Sequence, residues 1–308
     1  MKKTSNLVSV SIIIILLGYI AYHEWSGKNL LEEHPISDPS VLTDPSFVAA
    51  IAYDLPSEIS FAEEPVPIDI ADVRERFDKE LQINCYLHSN TLFLLKRANR
   101  WLPQMKPILD RYHIPDDFKY LPLIESNLLN VRSPRDAVGY WQILADSGKE
   151  VGLEINSEVD ERYDPLKATE AACKYLIKAY SKFGNWTLVA ASYNRGMRGV
   201  QDAMKEQQEN SFYDLYLNDE TSRYVFRIMA IKEIMENPVK YGFKIDDSNL
   251  YVEEPLHFIE VSETINDFVA FAKSNGTNYK LLKRHNPWLR GDRLTVRKGK
   301  IYRIAMPS

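Results

Sequence analysis

The chain has 308 residues, 26% charged, 45% apolar and 11% aromatic. This is ordinary globular composition, and it excludes a fully disordered, collagen-like or multi-span membrane protein. The formal net charge of −5 argues against a nucleic-acid binder, but it is unevenly spread. Residues 27–72 hold ten Asp/Glu against one Lys, about −9, whereas residues 73–308 hold 35 Lys/Arg against 32 Asp/Glu, about +3.

At the N-terminus, Lys2 and Lys3 precede an apolar run from Leu7 to Tyr22. No small-residue cleavage site follows it, only His23-Glu24-Trp25, and the first Cys is residue 85. With Ala21 to Trp25 the stretch approaches the ~20 residues needed to span a bilayer. Residues 1–26 therefore read as a signal anchor that keeps the lysines inside, with a cleaved signal peptide as the alternative. Residues 27–72 carry six prolines, the acidic excess and no sustained apolar period, and read as an extended linker.

Helical periodicity begins near Ala71. Leu92, Leu95, Trp101, Leu102 and Met105 predict helices interrupted at Pro103 and Pro107. Leu166, Thr169, Ala172, Cys173, Leu176, Ile177 and Tyr180 repeat at three and four, as do Tyr224, Val225, Ile228, Ile231 and Met235 before Asn237-Pro238. Little strand alternation occurs between residues 71 and 237. The tail changes character: a strand over 256–261, helices over 265–274 and 279–285, and a strand over 301–305. The fold class expected is mainly α, with a small, separate β-α-α-β module at the C-terminus.

The two cysteines, Cys85 and Cys173, are too few for a disulfide framework and read as separate buried thiols. There is no CxxC, HExxH, GxSxG, P-loop or GxGxxG. Metal, acyl-transfer and nucleotide chemistry thus lack sequence support.

Three segments carry candidate chemistry. In Tyr120-Leu121-Pro122-Leu123-Ile124-Glu125-Ser126 an acid follows an apolar run. Burial of a carboxyl favours its protonated form and raises its pKa toward a general acid's range. A surface Glu at a helix end is the plainer alternative. In Ser133 to Gln142, Gly139 permits close backbone approach, while Trp141 and Gln142 pair an aromatic face with a double hydrogen-bonder, a combination that suits a sugar. A core Trp explains the same residue equally. Asn185 to Gly196 reads as an apolar helix ending in Tyr193-Asn194 with Gly at the stop.

Taken together, these segments resemble the family-1 lytic transglycosylases, which share the goose-type lysozyme fold, and within them the membrane-bound lytic murein transglycosylase D group. The family runs E-S, S-x-x-G-A-x-G-L-W-Q, V-D-E-R-x-D-P, A-T-x-A-A-x-x-Y-L and A-Y-N-x-G. This chain has Glu125-Ser126, Ser133 to Gln142, Val159 to Pro165, Ala168 to Leu176 and Ser192 to Gly196 in that order, followed by Glu220-Thr221-Ser222-Arg223-Tyr224. Departures are a loop after Glu125 that reads one residue short, Asp136 where Gly is usual, Tyr140 for Leu or Ile, and Ser192 for Ala.

The resemblance implies a lysozyme-like catalytic domain over 73–245 and a LysM-like module over 252–308. It implies non-hydrolytic cleavage of peptidoglycan between N-acetylmuramic acid and N-acetylglucosamine, leaving 1,6-anhydromuramoyl ends. Glu125 would be the single acid/base. Tyr193 would orient it, and Gln142 and Asn194 would contact sugar or acetamido groups. Ser126 and Tyr224 are weaker candidates, and Trp141 is expected as a wall of the sugar site, with core as the alternative. No metal or cofactor is implied. The expected partner is peptidoglycan, at a periplasm-facing site in the cell envelope, with residues 7–25 in the inner membrane. From Lys280 onward nine Lys/Arg face one Asp, a basic face that suits anionic peptide stems or is simply solvated. A second acid at Asp136 raises the rival of a goose-type hydrolase, although an exposed loop Asp is the plainer reading. A catalytically silent glycan-binding protein is the third.

Overall fold

A computed structural model describes residues 51–308, and Tyr53–Ser308 form one compact unit. The expected anchor and most of the linker lie outside the described residues. Among the described residues no helix is long and apolar enough to cross a membrane.

The end of the expected linker is not extended. Strands β1 (Ser60–Phe61) and β2 (Glu64–Pro65) form a small antiparallel hairpin. Phe61 is fully buried and packs at a tilt of 55° against Phe118, with ring centroids 5.3 Å apart. Acidic, Pro-rich composition hid this because a few apolar residues, Phe61, Ala62 and Val66 with Leu55, Ile59 and Ile68 beside them, suffice to dock so short a segment. The helical body therefore gathers chain from before residue 73.

That body is built from α1 (Ala71–Tyr86), α2 (His88–Arg111), α3 (Leu121–Ser126), α4 (Ala145–Glu150), α5 (Pro165–Phe183), α6 (Trp186–Arg195), α7 (Met197–Gln207) and α8 (Asp219–Glu236). Helix α8 is the axis. Val225, Phe226, Ile228, Met229 and Ala230 are buried nearly all round it, because α1, α3 and α6 pack on different sides. Helix α2 runs unbroken through Pro103 and Pro107. Both prolines lie on its exposed side, where carbonyls left without an N–H partner are solvated, while Met105, Ile108 and Leu109 on the other side hold the helix to the core. Cys85 and Cys173 are separate, buried and unbridged, and burial pushes both thiols up to about 12.

The tail is β-α-α-β as expected: β3 (Leu256–Val261), α9 (Phe268–Ser274), α10 (Tyr279–His285) and β4 (Tyr302–Pro307), with the strands antiparallel. Helix α9 starts later than the periodicity predicts. The Asp267 carboxylate accepts from the Val269 and Ala270 N–H groups and so sets its N-terminus. Val269 is exposed, while Phe268 and Ala272 face inward. Asn286 is structural: its side chain brackets Ala305, donating to the carbonyl and accepting from the N–H at 2.7 Å each.

Nor is this module separate from the body. Val159, from the segment between α4 and α5, is buried in the module's own core with Leu289 and Trp288. Backbone bonds run from Asp160 N–H to Trp288 (2.9 Å) and from Arg290 N–H to Glu158 (2.7 Å). Glu158 also accepts from Arg293 Nε (2.8 Å) and Thr295 N–H (2.7 Å). The earlier boundary between body and module thus crosses a shared core.

Candidate active site

Helix α3 has six residues, and Leu121, Pro122, Leu123, Ile124 and Ser126 are all buried. Pro122 preorganises its first turn, and Asn127 ends it in the left-handed conformation at φ 53°. Glu125 alone keeps partial exposure, at a cleft of about 610 Å³. Its carboxyl is pushed up to about 7, chiefly by desolvation and further by the charge of Glu220. A hydrogen bond from Tyr224 and the nearby Arg227 guanidinium pull the other way. The carboxyl is therefore held near the point where it both gives and takes a proton.

The group that holds Glu125 is Tyr224, whose hydroxyl donates to Glu125 Oε1. Tyr224 is buried on α8, and burial beside Glu125 keeps its phenol protonated. Arg227, one turn further on, donates to the Ile124 carbonyl at 2.9 Å and fixes α3 against α8. The sequence reading gave the orienting role to Tyr193. That side chain is half-buried, and its phenol donates to the Trp141 carbonyl at 2.8 Å.

The remaining candidates divide. Trp141 is fully buried, and its indole N–H donates to Thr169 Oγ1 at 2.8 Å. It is core, because a Trp in the interior stays only where its N–H finds an acceptor. Ser126 is buried; its hydroxyl donates to the Tyr140 carbonyl at 2.8 Å and so ties α3 to the 133–143 loop. Gln142, half-buried at φ 47°, donates its amide to the Gly139 carbonyl at 2.8 Å, and its amide oxygen has no hydrogen bond among the described residues. Gln142 and Tyr193 line a second depression of about 390 Å³. Asn194 is spent on structure: it donates to Glu220 (3.1 Å) and accepts from Thr221 Oγ1 (2.8 Å), joining α6 to α8. Asp136 is exposed, paired with Arg132 at 2.8 Å, and lines neither depression.

Gly139 does permit a close approach, by backbone. A Cβ there would lie 2.1 Å from the Arg162 carbonyl oxygen. Arg162 is buried with Asp160 at 2.7 Å and donates to the Asp136 and Ile143 carbonyls, holding both ends of the loop.

Sequence reasoning missed several supporting residues. Glu80 is buried and paired with Arg223 at 2.5 Å at the cleft. Its signal was position, since it falls on the Val73, Phe77, Leu81 face of α1. Glu64 of the hairpin accepts from the N–H groups of Trp186 (2.6 Å) and Thr187 (3.1 Å) and from Asn185 Nδ2 (3.0 Å). It anchors the start of α6, the helix that carries Tyr193, and nothing local to residue 64 announces that.

A half-buried acid with a phenol donor and a nearby guanidinium, on a short helix lining an α-helical cleft, is an arrangement able to give and take a proton. Residues 108–216 match the Transglycosylase SLT domain, and residues 257–308 match the soluble lytic transglycosylase C-terminal LysM-like domain. The chain carries both domains and is homologous to the membrane-bound lytic murein transglycosylase D of Escherichia coli K12, at 28% identity over 228 residues, 72% of this chain and 49% of that protein. The same protein of E. coli O6:H1 matches equally. The chain thus spans about half the length of these curated relatives. A solved structure of an inactive mutant of the lytic transglycosylase Slt from Pseudomonas aeruginosa overlaps 52% of this chain and 27% of that one, at TM-score 0.39 and 20% identity.

Proposed function

We propose that this chain is a peptidoglycan lytic transglycosylase acting in the cell envelope. The observation that carries the reading is Glu125, held up to about 7 with Tyr224 bonded to it, while the other cleft carboxylates are engaged. Glu80 and Asp219 pair with Arg223, and Glu220 accepts from Asn194. One acid/base suffices when the nucleophile belongs to the substrate.

Protonated Glu125 donates to the glycosidic oxygen as the bond to C1 of N-acetylmuramic acid breaks. The resulting carboxylate then takes the proton of the C6 hydroxyl as that oxygen bonds to C1. The 1,6-anhydro ring closes, and Glu125 returns to its protonated form. Attachment of the nucleophile replaces a bound water, and such proximity is worth on the order of 7–11 kcal/mol of barrier in well-oriented systems. Tyr224 holds the carboxyl during both transfers. Gln142 offers its unbonded amide oxygen to an acetamido or hydroxyl donor.

A hydrolytic reading has one observation in its favour. Glu220 is near enough to raise the Glu125 pKa, and a second carboxylate at suitable distance activates water. Digestion of purified sacculi with mass analysis of the muropeptides separates the two. Anhydro ends, one water lighter, are expected; reducing ends would establish the hydrolase. Binding without release of any product would leave a silent glycan-binding protein. Anchoring by residues 7–25 is part of the proposal and is read by fractionating membranes from cells that express the full chain.

A further inference from the structure

A third cavity, of about 470 Å³, lies where the helical body meets the C-terminal module. Its walls come from α2, the loop after Glu125, segment 251–258, α10 and β4. Leu129 lines both this cavity and the Glu125 cleft, so a single loop separates them. A strand held at Glu125 has this pocket as its neighbour.

The chemistry of the walls is specific. Arg284 pairs with Glu254, with Arg100 and His285 each 3.7 Å from the same carboxylate. Two other guanidiniums do not. Arg97 donates Nε to the Asn127 carbonyl at 2.6 Å but has no ion pair among the described residues, and burial lowers its pKa. Arg303 is exposed, lies over the Phe258 ring at 4.6 Å and likewise has no ion pair among the described residues. Arg97, partly buried and without a counterion, is costly to desolvate; Arg303 is accessible to an anion from solvent, and a guanidinium takes a carboxylate in a bidentate fork. Phe258, 52% exposed, and Trp101, edge-on to Tyr140 at 5.1 Å, supply apolar surface beside these charges. A bare neutral glycan would use the rings and leave the guanidiniums idle.

We propose that this pocket binds a carboxylate of the peptide stem carried by the same peptidoglycan strand whose sugar chain lies at Glu125. This rests on the lytic transglycosylase reading. The site makes the enzyme prefer strands that still bear their peptides, and it explains why the C-terminal module is fused to the body rather than tethered.

The test is calorimetric binding to the full chain carrying Glu125→Gln, so that nothing is cleaved. A soluble disaccharide tetrapeptide is expected to bind at least tenfold more tightly than the same disaccharide without peptide. Arg303→Glu is expected to remove most of that preference and Arg303→Lys to restore part of it. Lys273→Glu, an equal charge change on the exposed side of α9, should keep it. Phe258→Ala repeats the test without a charge change, and thermal melting checks that each variant folds. A preference that survives both Arg303→Glu and Arg97→Met, or no preference at the outset, overturns the proposal. Free tetrapeptide that binds as tightly as the muropeptide overturns the strand-bound part. Failure of the unsubstituted chain to release anything from sacculi would instead overturn the catalytic reading, while the binding arms still report on the pocket.

Discussion

At Glu125, desolvation outweighs two stabilising neighbours, and the sign of that balance makes predictions. The folded state holds the proton more tightly than an ordinary carboxyl of 4.5, so stability falls as pH rises from 4.5 through about 7. Glu125→Gln should therefore abolish release, by roughly 10²–10⁴-fold as expected for loss of a general acid/base, and yet raise the thermal midpoint at pH 8. That gain should vanish at pH 4; equal gains at both pH values would contradict the burial argument. Activity of the unsubstituted chain should fall with a limb near pH 7, because the first step needs the protonated acid. Tyr224→Phe removes the bond that favours the carboxylate. Its limb should move to higher pH and kcat drop about tenfold. An unmoved limb would mean that Tyr224 serves only the core. Tyr193→Phe, which loses a bond to the Trp141 carbonyl, should leave the limb in place.

Helix α6 and the 133–143 loop are held from afar. Glu64 anchors α6, and Glu64→Ala should cost about 1–2 kcal/mol in urea unfolding, in the range of a lost N-terminal cap. An unchanged midpoint would show that Asn185, which caps the helix through Leu188 N–H at 2.9 Å, suffices alone. Arg162 and Asp160 form a pair with both side chains only 9% exposed. Arg162→Met strands a buried carboxylate and frees the loop carbonyls, at roughly 3–5 kcal/mol. Unfolding should show that loss, with release impaired even where the variant remains folded, since Ser126 reaches the same loop through Tyr140.

Across the whole molecule, the Val159 contact makes body and module one cooperative object. Val159→Asp puts a charge into a core position that is 1% exposed and should cost about 3 kcal/mol or more. Calorimetry should show one transition, shifted down as a unit; two resolved transitions would sink the shared-core argument. The charge distribution also looks different once folded. Part of the acidic excess of residues 27–72 is structural, since Glu64 holds α6 and the Arg76–Asp72 pair sits on α1.

Much was legible along the chain because it depends on neighbours in sequence. Apolar spacing at three and four specified α5 and α8, the run Leu121 to Ile124 singled out Glu125 as a candidate desolvated acid, and the changed pattern of the tail specified β-α-α-β. What the chain did not disclose were pairings between distant segments. Whether Tyr193 or Tyr224 holds Glu125 depends on how α6 and α8 each meet α3, and Tyr224 stands 99 residues from its partner. Trp141 became core, Asn194 a tie between helices and Glu64 an anchor for the same reason. A side chain's residue type sets which bonds it is able to make, and packing alone selects the atoms within its reach.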